Sequence, residues 1–451
     1  MNQICVAKFG GTSVANGEAM TRCLQIVVNN PKTRVVVLSA SAGVTNLLVE
    51  LSSGNLDAQA REDRMQRLTD IQFHILDALG QPTALTRTIR DMLDEVRDLA
   101  EQAAVASDAA LVDRMVAQGE LMSTRLFTEL MQQKGYPAVW FDVRKVMRTD
   151  SRFGKATPAI EALRALAQQE MAPLLAADHF IITQGFIGSN AEGQTTTLGR
   201  GGSDYSAALL AEALSVSELE IWTDVPGIYT TDPRMVSSAR PIPEISFAEA
   251  AEMATFGAKV LHPSTLQPAV RRNIPVFVGS SKDPGAGGTW VRLSTTSNPL
   301  FRAVALRRNQ VLVTLHSANM LGACGFLADV FTILARHRIS VDLITTSEVS
   351  VALTLDHTGS QSNGKSVLSD EVLAELSALG KVKVEDKLSL VALIGNDIST
   401  TNGAGSRVFS VVDDVNIRMV CHGASAHNLC FLVNEDQAEE IVQRLHRQLL
   451  D

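Results

Sequence analysis

The chain has 451 residues, 45% apolar and 20% charged, a globular composition too long for one ordinary core, so two or three domains are expected. A formal charge of −9, without basic runs or aromatic-basic interleaving, argues against nucleic-acid binding. Lys8 and nearby glycines interrupt the first apolar run, no stretch is long enough to span a bilayer, and five scattered cysteines without C-x-x-C spacing fit reduced thiols; a cytoplasmic protein without a membrane partner is expected.

The first predicted element is a strand over Ile4–Phe9 that runs directly into Gly10-Gly11-Thr12-Ser13. Glycines let backbone N–H groups approach an anion, and Lys8 can balance phosphate charge, so the segment reads as a phosphoryl-transfer loop or as an ordinary tight turn after a strand. It is not the usual P-loop, because G-x-x-x-x-G-K-[ST] is absent. Further buried strands are predicted at Arg34–Ala40, Ala138–Val143, His179–Gly185, Leu219–Thr223 and Ile274–Gly279, separated by helices such as Ala207–Leu214. This alternation predicts an αβα sandwich on a largely parallel sheet, with a helical excursion between Asn55 and Ala106. Pro284-Gly285-Ala286-Gly287-Gly288 marks the end of that first domain, placed at 1–292.

Beyond it the chain repeats itself. Val330–Leu334 matches Val408–Val412 at an offset of 78 residues, and the same offset pairs Leu315 with Leu393, Gly325 with Gly403, Ile339 with Ile417 and Ser347 with Ser425. Each copy reads in the ferredoxin-like βαββαβ order, the first closing with a strand at Lys381–Val384. The second copy lacks a final strand after its helix Asp436–Leu450, so Phe301–Leu306 is expected to fill that edge. The first module, 311–386, is then inserted within the second, 299–310 plus 387–451.

Small, hydroxyl and charged residues gather at strand ends: Ser39–Asn46, Gly119–Ser123, Thr197–Asp204, Thr223–Tyr229 and Phe256–Val260. Arg200 lies in a glycine-flanked loop where its guanidinium could take a carboxylate bidentately, and Glu120 offers the opposite charge for an ammonium. Glu120 alternatively sits in the first turn of a helix, Asp204 caps the helix that follows it, and Thr45 is an ordinary cap. No zinc or calcium pattern appears, and no protein metal ligand is expected.

With K-F-G-G-T-S, L-G-R-G-G-S-D, W-T-D-V-P-G-I-Y-T-T-D-P-R and the paired modules in this order, the whole chain resembles the amino-acid kinase superfamily, and within it the single-function, lysine-sensitive aspartokinases with tandem ACT regulatory modules. The resemblance implies ATP-dependent phosphorylation of the L-aspartate β-carboxylate, with Mg2+ carried by the nucleotide. It implies catalytic roles for Lys8 and Asp204, aspartate binding by Thr45, Glu120, Arg200 and Ser203, and nucleotide contacts from Gly10, Gly11, Thr223, Asp224, Tyr229, Arg234, Lys259 and Val260. Asp-Val-Pro-Gly also reads as a plain turn, Arg234 as a solvated charge and Lys8 as a solvated strand-end lysine.

The first module presents Ser340, Asp342 and Glu348 where the second has Arg418, Val420 and Ala426, so a cationic amino acid should choose the first copy. The resemblance implies lysine as the inhibitor, held by Met320, Ala323, Phe326, Leu327, Ser340, Val341, Asp342, Ser347 and Glu348; Ala323 and Cys324 depart from the family pattern, and Asp342 and Glu348 alternatively read as solvated charges. A homodimer through the ACT modules, or a tetramer, is implied. No dinucleotide-binding domain follows the second module, so a fused homoserine dehydrogenase is not expected. The rival readings are a kinase of the superfamily acting on glutamate or carbamate, and a non-catalytic amino-acid sensor.

Overall fold

Buried runs alternating with alanine- and leucine-rich helices call for a parallel sheet covered on both faces. The structure, a computed structural model describing residues 3–199, 201–257, 261, 263–356 and 368–451, has this layering in its first part. The strands there are β1 Cys5–Phe9, β2 Thr33–Leu38, β3 Ala138–Phe141, β4 Phe180–Gln184, β5 Ile187–Ser189, β6 Thr195–Thr197, β7 Glu218–Thr223, β8 Glu244–Ser246, β9 Val276–Ser280 and β10 Gly288–Arg292. β5 and β6 make a separate antiparallel hairpin. The others form one sheet in the order β3-β4-β2-β1-β7-β9-β10-β8, parallel except where β10 meets β9. Sequence reading missed β8, β10 and the hairpin, all of which are short.

Every residue of β1 is buried. Alternation along the strand places Ala7 and Phe9 in the apolar cluster with Met20 and Cys23, whereas Lys8 reaches the opposite layer and meets the helix Gly202–Leu214. The Asn55–Ala106 excursion consists of the helices Ala58–Ala78 and Thr83–Val105. Their Met65, Leu68, Ile75, Leu76, Ile89, Leu93, Val96 and Leu99 join the same cluster, so the excursion is part of the core rather than an appendage.

The chain divides into two compact units: Met1–Ile228, Pro241–Ala251 and Val260–Thr295 form the first, and Tyr229–Arg240, Glu252–Lys259 and Thr296–Asp451 the second. The second unit contains β11 Ala303–His316, β12 Leu343–Thr346, β13 Ser350–Asp356, β14 Lys381–Ile394, β15 Met419–His422 and β16 Asn428–Asn434. They form one antiparallel sheet in the order β12-β13-β11-β14-β16-β15.

Both repeats share the two long central strands. Ala303–Arg307 pairs with Leu390–Ile394, and Gln310–His316 pairs with both β13 and the first part of β14. The register shifts between these halves, where Asn309 and Lys387 adopt left-handed φ values of 58° and 54°. Separate apolar clusters pack on the halves. One gathers Val313, Val330, Leu334 and Leu353, and the other Val391, Val408, Phe431 and Val442.

Candidate active site

β1 ends at Phe9 and the chain turns through Gly10 into a single 3-10 turn, Gly11–Val14. A Cβ on Gly11 would lie 2.8 Å from the Ala40 carbonyl oxygen, so only glycine permits this approach to the loop after β2. Gly10 donates its N–H to the Trp222 carbonyl at 3.1 Å, which leaves it to offer space above Lys8 rather than a free donor. A Cβ there would stand 3.7 Å from Lys8 Nζ.

Lys8 Nζ lies 2.5 Å from Asp204 Oδ1, with the two side chains 10% and 18% exposed. Asp204 is in the first turn of the helix Gly202–Leu214, whose N-cap is Gly201 at φ 73° with no side-chain cap. Asp204 is therefore not a cap; it holds an ammonium. Gly185, just beyond β4, lets this helix begin against the sheet, since a Cβ there would lie 2.6 Å from Ser203 Cβ.

Glu120 lies midway along the helix Ala109–Gln133, not in a first turn, and is 3% exposed. Its Oε1 accepts from Ala40 N at 3.2 Å, while its Oε2 is buried and has no partner among the described residues. Ser123 Oγ, one turn on, donates to Ser39 O at 2.8 Å and ties the helix to the same loop. Burial pushes the Glu120 carboxyl from its ordinary 4.5 up to about 8, against the Ala40 N–H and the charge of Lys8, which favour ionisation. A buried carboxyl oxygen with no partner among the described residues can receive an incoming ammonium, which favours its ionised form.

Thr45 is the second residue of the helix Val44–Ser52, whose N-cap is Gly43 at φ 82°, so it is inside the helix rather than capping it. Thr223 ends β7, its hydroxyl donating to Asp224 Oδ1 at 3.2 Å and its carbonyl accepting from Ser281 N at 2.8 Å. Asp224 is exposed. Ser281 also bonds Ser13 across their hydroxyls at 2.6 Å, joining the ends of β1 and β9; nothing in the spacing of these serines signals it. Tyr229 and Arg234 belong to the second unit, where Arg234 is highly exposed and forked onto Asp232 at 2.6 Å. Arg200, Lys259 and Val260 lie outside the described residues.

In the second unit Met320, Ala323, Phe326, Leu327 and Glu348 help line a cavity of about 320 Å3. Ser340, Val341, Asp342 and Ser347 are not in its lining. Asp342 instead pairs with Arg307 at 3.1 Å, and Ser347 bonds the Ser350 hydroxyl at 2.7 Å. The helix Phe326–Arg336 starts at the cavity from Gly325, at φ 94° and without a side-chain cap, so its first N–H groups are donors for an anion. With Glu348 on the same cavity, the site suits a zwitterion. In the second copy, Ser425, the counterpart of Ser347, is already bonded to Glu252 Oε1 at 2.6 Å.

The amino acid kinase family profile matches residues 3–280, and an ACT domain profile matches residues 391–449. Lysine-sensitive aspartokinase 3 of Escherichia coli (strain K12) is 61% identical over 451 residues, covering all of both chains. The crystal structure of E. coli aspartokinase III in complex with aspartate and ADP, described as its R-state, superposes with a TM-score of 0.91 at 61% identity over the full length of both. The same enzyme with lysine and aspartate, described as its T-state, gives 0.85 at 60% identity, covering 99% of this chain and 100% of that one. With the family profile spanning more than half of its length and a relative this similar from end to end, the chain belongs to the aspartokinase family of amino acid kinases.

Proposed function

We propose that the chain transfers the γ-phosphate of ATP to the β-carboxylate of L-aspartate, giving 4-phospho-L-aspartate and ADP. The observation that carries this reading is the Lys8–Asp204 pair near a Glu120 oxygen that has no partner among the described residues, at the carboxyl ends of parallel strands. A carboxylate nucleophile with an ordinary pKa of about 3.9 is already ionised at neutral pH, so no general base is needed. The barrier is the meeting of two anions, and catalysis reduces to charge neutralisation and positioning.

Lys8 supplies the charge, and Asp204 fixes its ammonium. Glu120 receives the α-ammonium of aspartate, Arg200 a carboxylate, and Thr45 and Ser203 add hydroxyls. Gly10, Gly11, Thr223, Asp224, Tyr229, Arg234, Lys259 and Val260 serve the nucleotide. Mg2+ would be carried on the ATP phosphates, adding positive charge there. Such an ion prefers phosphate and water oxygens to a dedicated set of protein ligands. The reduced cysteines favour a cytoplasmic setting.

We further infer a kinase domain over 1–292, an inserted first ACT module over 311–386 and a second over 299–310 plus 387–451, with a homodimer formed through these modules. Lysine is the inhibitor, its carboxylate at the N-terminus of the helix Phe326–Arg336 and an ammonium on Glu348. Because Arg307 already engages Asp342, Glu348 carries most of the charge recognition. Glu348→Ala is expected to raise the half-inhibitory lysine concentration roughly ten- to a hundredfold with uninhibited turnover unchanged. His422→Ala, in the second copy, should leave inhibition intact. Loss of sensitivity in the second variant and not the first would move the effector to the other copy.

The deciding assay follows ADP formation from ATP with L-aspartate or L-glutamate, with and without lysine, threonine and methionine. Turnover on glutamate exceeding that on aspartate would favour another kinase of the superfamily. No turnover on either would favour a sensor.

A further inference from the structure

Asp113 belongs to no motif singled out by the sequence, yet it is a carboxylate 1% exposed on the helix that carries Glu120. The two are seven residues apart, close to two turns at about 3.6 residues per turn, so they share one face with an axial separation of roughly 10 Å. Asp113 Oδ1 accepts from Thr197 Oγ1 at 2.7 Å, and Oδ2 from Thr197 N at 2.8 Å. Gly154 N is shared between the two oxygens at 3.0 and 2.9 Å.

These donors come from two separate segments. Thr197 is the last residue of β6 and leads into Leu198-Gly199-Arg200-Gly201, after which the helix bearing Ser203 and Asp204 begins. Gly154 belongs to the loop that packs under this segment: Ala156 N donates to Thr197 O at 2.8 Å, and a Cβ on Gly199, itself at φ 80°, would lie 3.2 Å from Gly154 O. Burial pushes the Asp113 carboxyl up, while the bonds from Gly154 and Thr197 pull it down. An apolar residue there would leave the Thr197 and Gly154 donors without this acceptor, a cost that explains a carboxylate in a core position.

We infer that Asp113 is a positioning residue for the amino-acid substrate: it fastens the loop leading to Arg200 and Ser203 to the helix that presents Glu120, and so fixes the spacing between the carboxylate-binding and ammonium-binding halves of the site. This rests on the assignment of Glu120 and Arg200 to aspartate. A small error in that spacing weakens both contacts of a rigid zwitterion together, whereas the nucleotide residues Thr223 and Asp224 sit on a different strand end.

The experiment is steady-state kinetics with aspartate and ATP varied separately on Asp113→Asn, Thr197→Val, Glu120→Gln and Arg200→Ala, with thermal unfolding of each. Asp113→Asn turns one acceptor into a donor facing donors and is expected to raise the aspartate KM roughly tenfold, with the ATP KM within about twofold. Thr197→Val removes one hydroxyl bond and should raise the aspartate KM about threefold at near-normal stability; this variant decides the matter if Asp113→Asn does not fold. An unchanged aspartate KM in the folded variants, or an equal rise for both substrates, overturns the inference. If Glu120→Gln and Arg200→Ala leave the aspartate KM unchanged, the substrate assignment itself fails, whatever Asp113 does.

Discussion

Lys8→Ala is expected to lower kcat by about two to three powers of ten, with a much smaller change in the aspartate KM. The ammonium is held by Asp204 at 2.5 Å and stems from the penultimate residue of a buried central strand, so it is oriented before substrate arrives and little reorganisation accompanies charge transfer. Removing it takes away stabilisation that grows as charge shifts from the transferred phosphoryl group to the leaving ADP. The variant should still fold, because the Asp204 side chain keeps access to water and is not left as a fully buried lone charge. Asp204→Asn should fall less far, since the ammonium remains while its orientation loosens. Single-turnover phosphoryl transfer at saturating ATP and aspartate measures the step directly, and a folded Lys8→Ala enzyme with near-normal kcat would remove Lys8 from the chemistry.

What made Lys8 legible was local: a charged residue inside an otherwise apolar alternating run, followed by two glycines, can be explained only at a strand end that meets an anion or a turn. The same holds for the repeat, whose constant offset survives in Gly325 and Gly403, both left-handed residues that start a helix. Glu120 was found by charge type, but its surroundings were not. In the sequence a carboxylate between Gly119 and Leu121 reads as the first turn of a helix, and only the fold shows it midway along a buried helix with one oxygen that has no partner among the described residues. Asp113 gave no signal, because two of its donors are the backbone N–H groups of Gly154 and Thr197, which have no sequence signature, and the third, the Thr197 hydroxyl, lies 84 residues away along the chain. The register shift between the two halves of the shared sheet was hidden for a similar reason. Residues 308–310 and 386–388 read as a boundary, whereas β11 and β14 run through it as bulged strands, a register fixed by cross-strand pairing rather than local propensity.

Glu120→Gln is expected to lower kcat/KM for aspartate about a hundredfold or more, because the amide puts a donor where the substrate ammonium needs an acceptor in a buried site. The raised carboxyl also gives the wild-type protein a pH signature with a definite sign. With a folded value of about 8 against an ordinary 4.5, the folded chain holds a proton that the unfolded chain has released throughout that interval. Stability from this group is therefore fully present below about 4.5, falls as pH rises through the window, and levels off above about 8. Chemical denaturation at pH 5 and pH 8 should show a smaller difference in Glu120→Gln than in wild type. Aspartate binding runs against the same proton: an ammonium on Glu120 favours the ionised carboxylate, so binding at pH 7 should expel a proton and affinity should climb until about pH 8. Calorimetry in two buffers of different ionisation enthalpy measures that release. It should vanish in Glu120→Gln, and a release of equal size in the variant would mean that the proton comes from another group and that Glu120 is not the ammonium receptor.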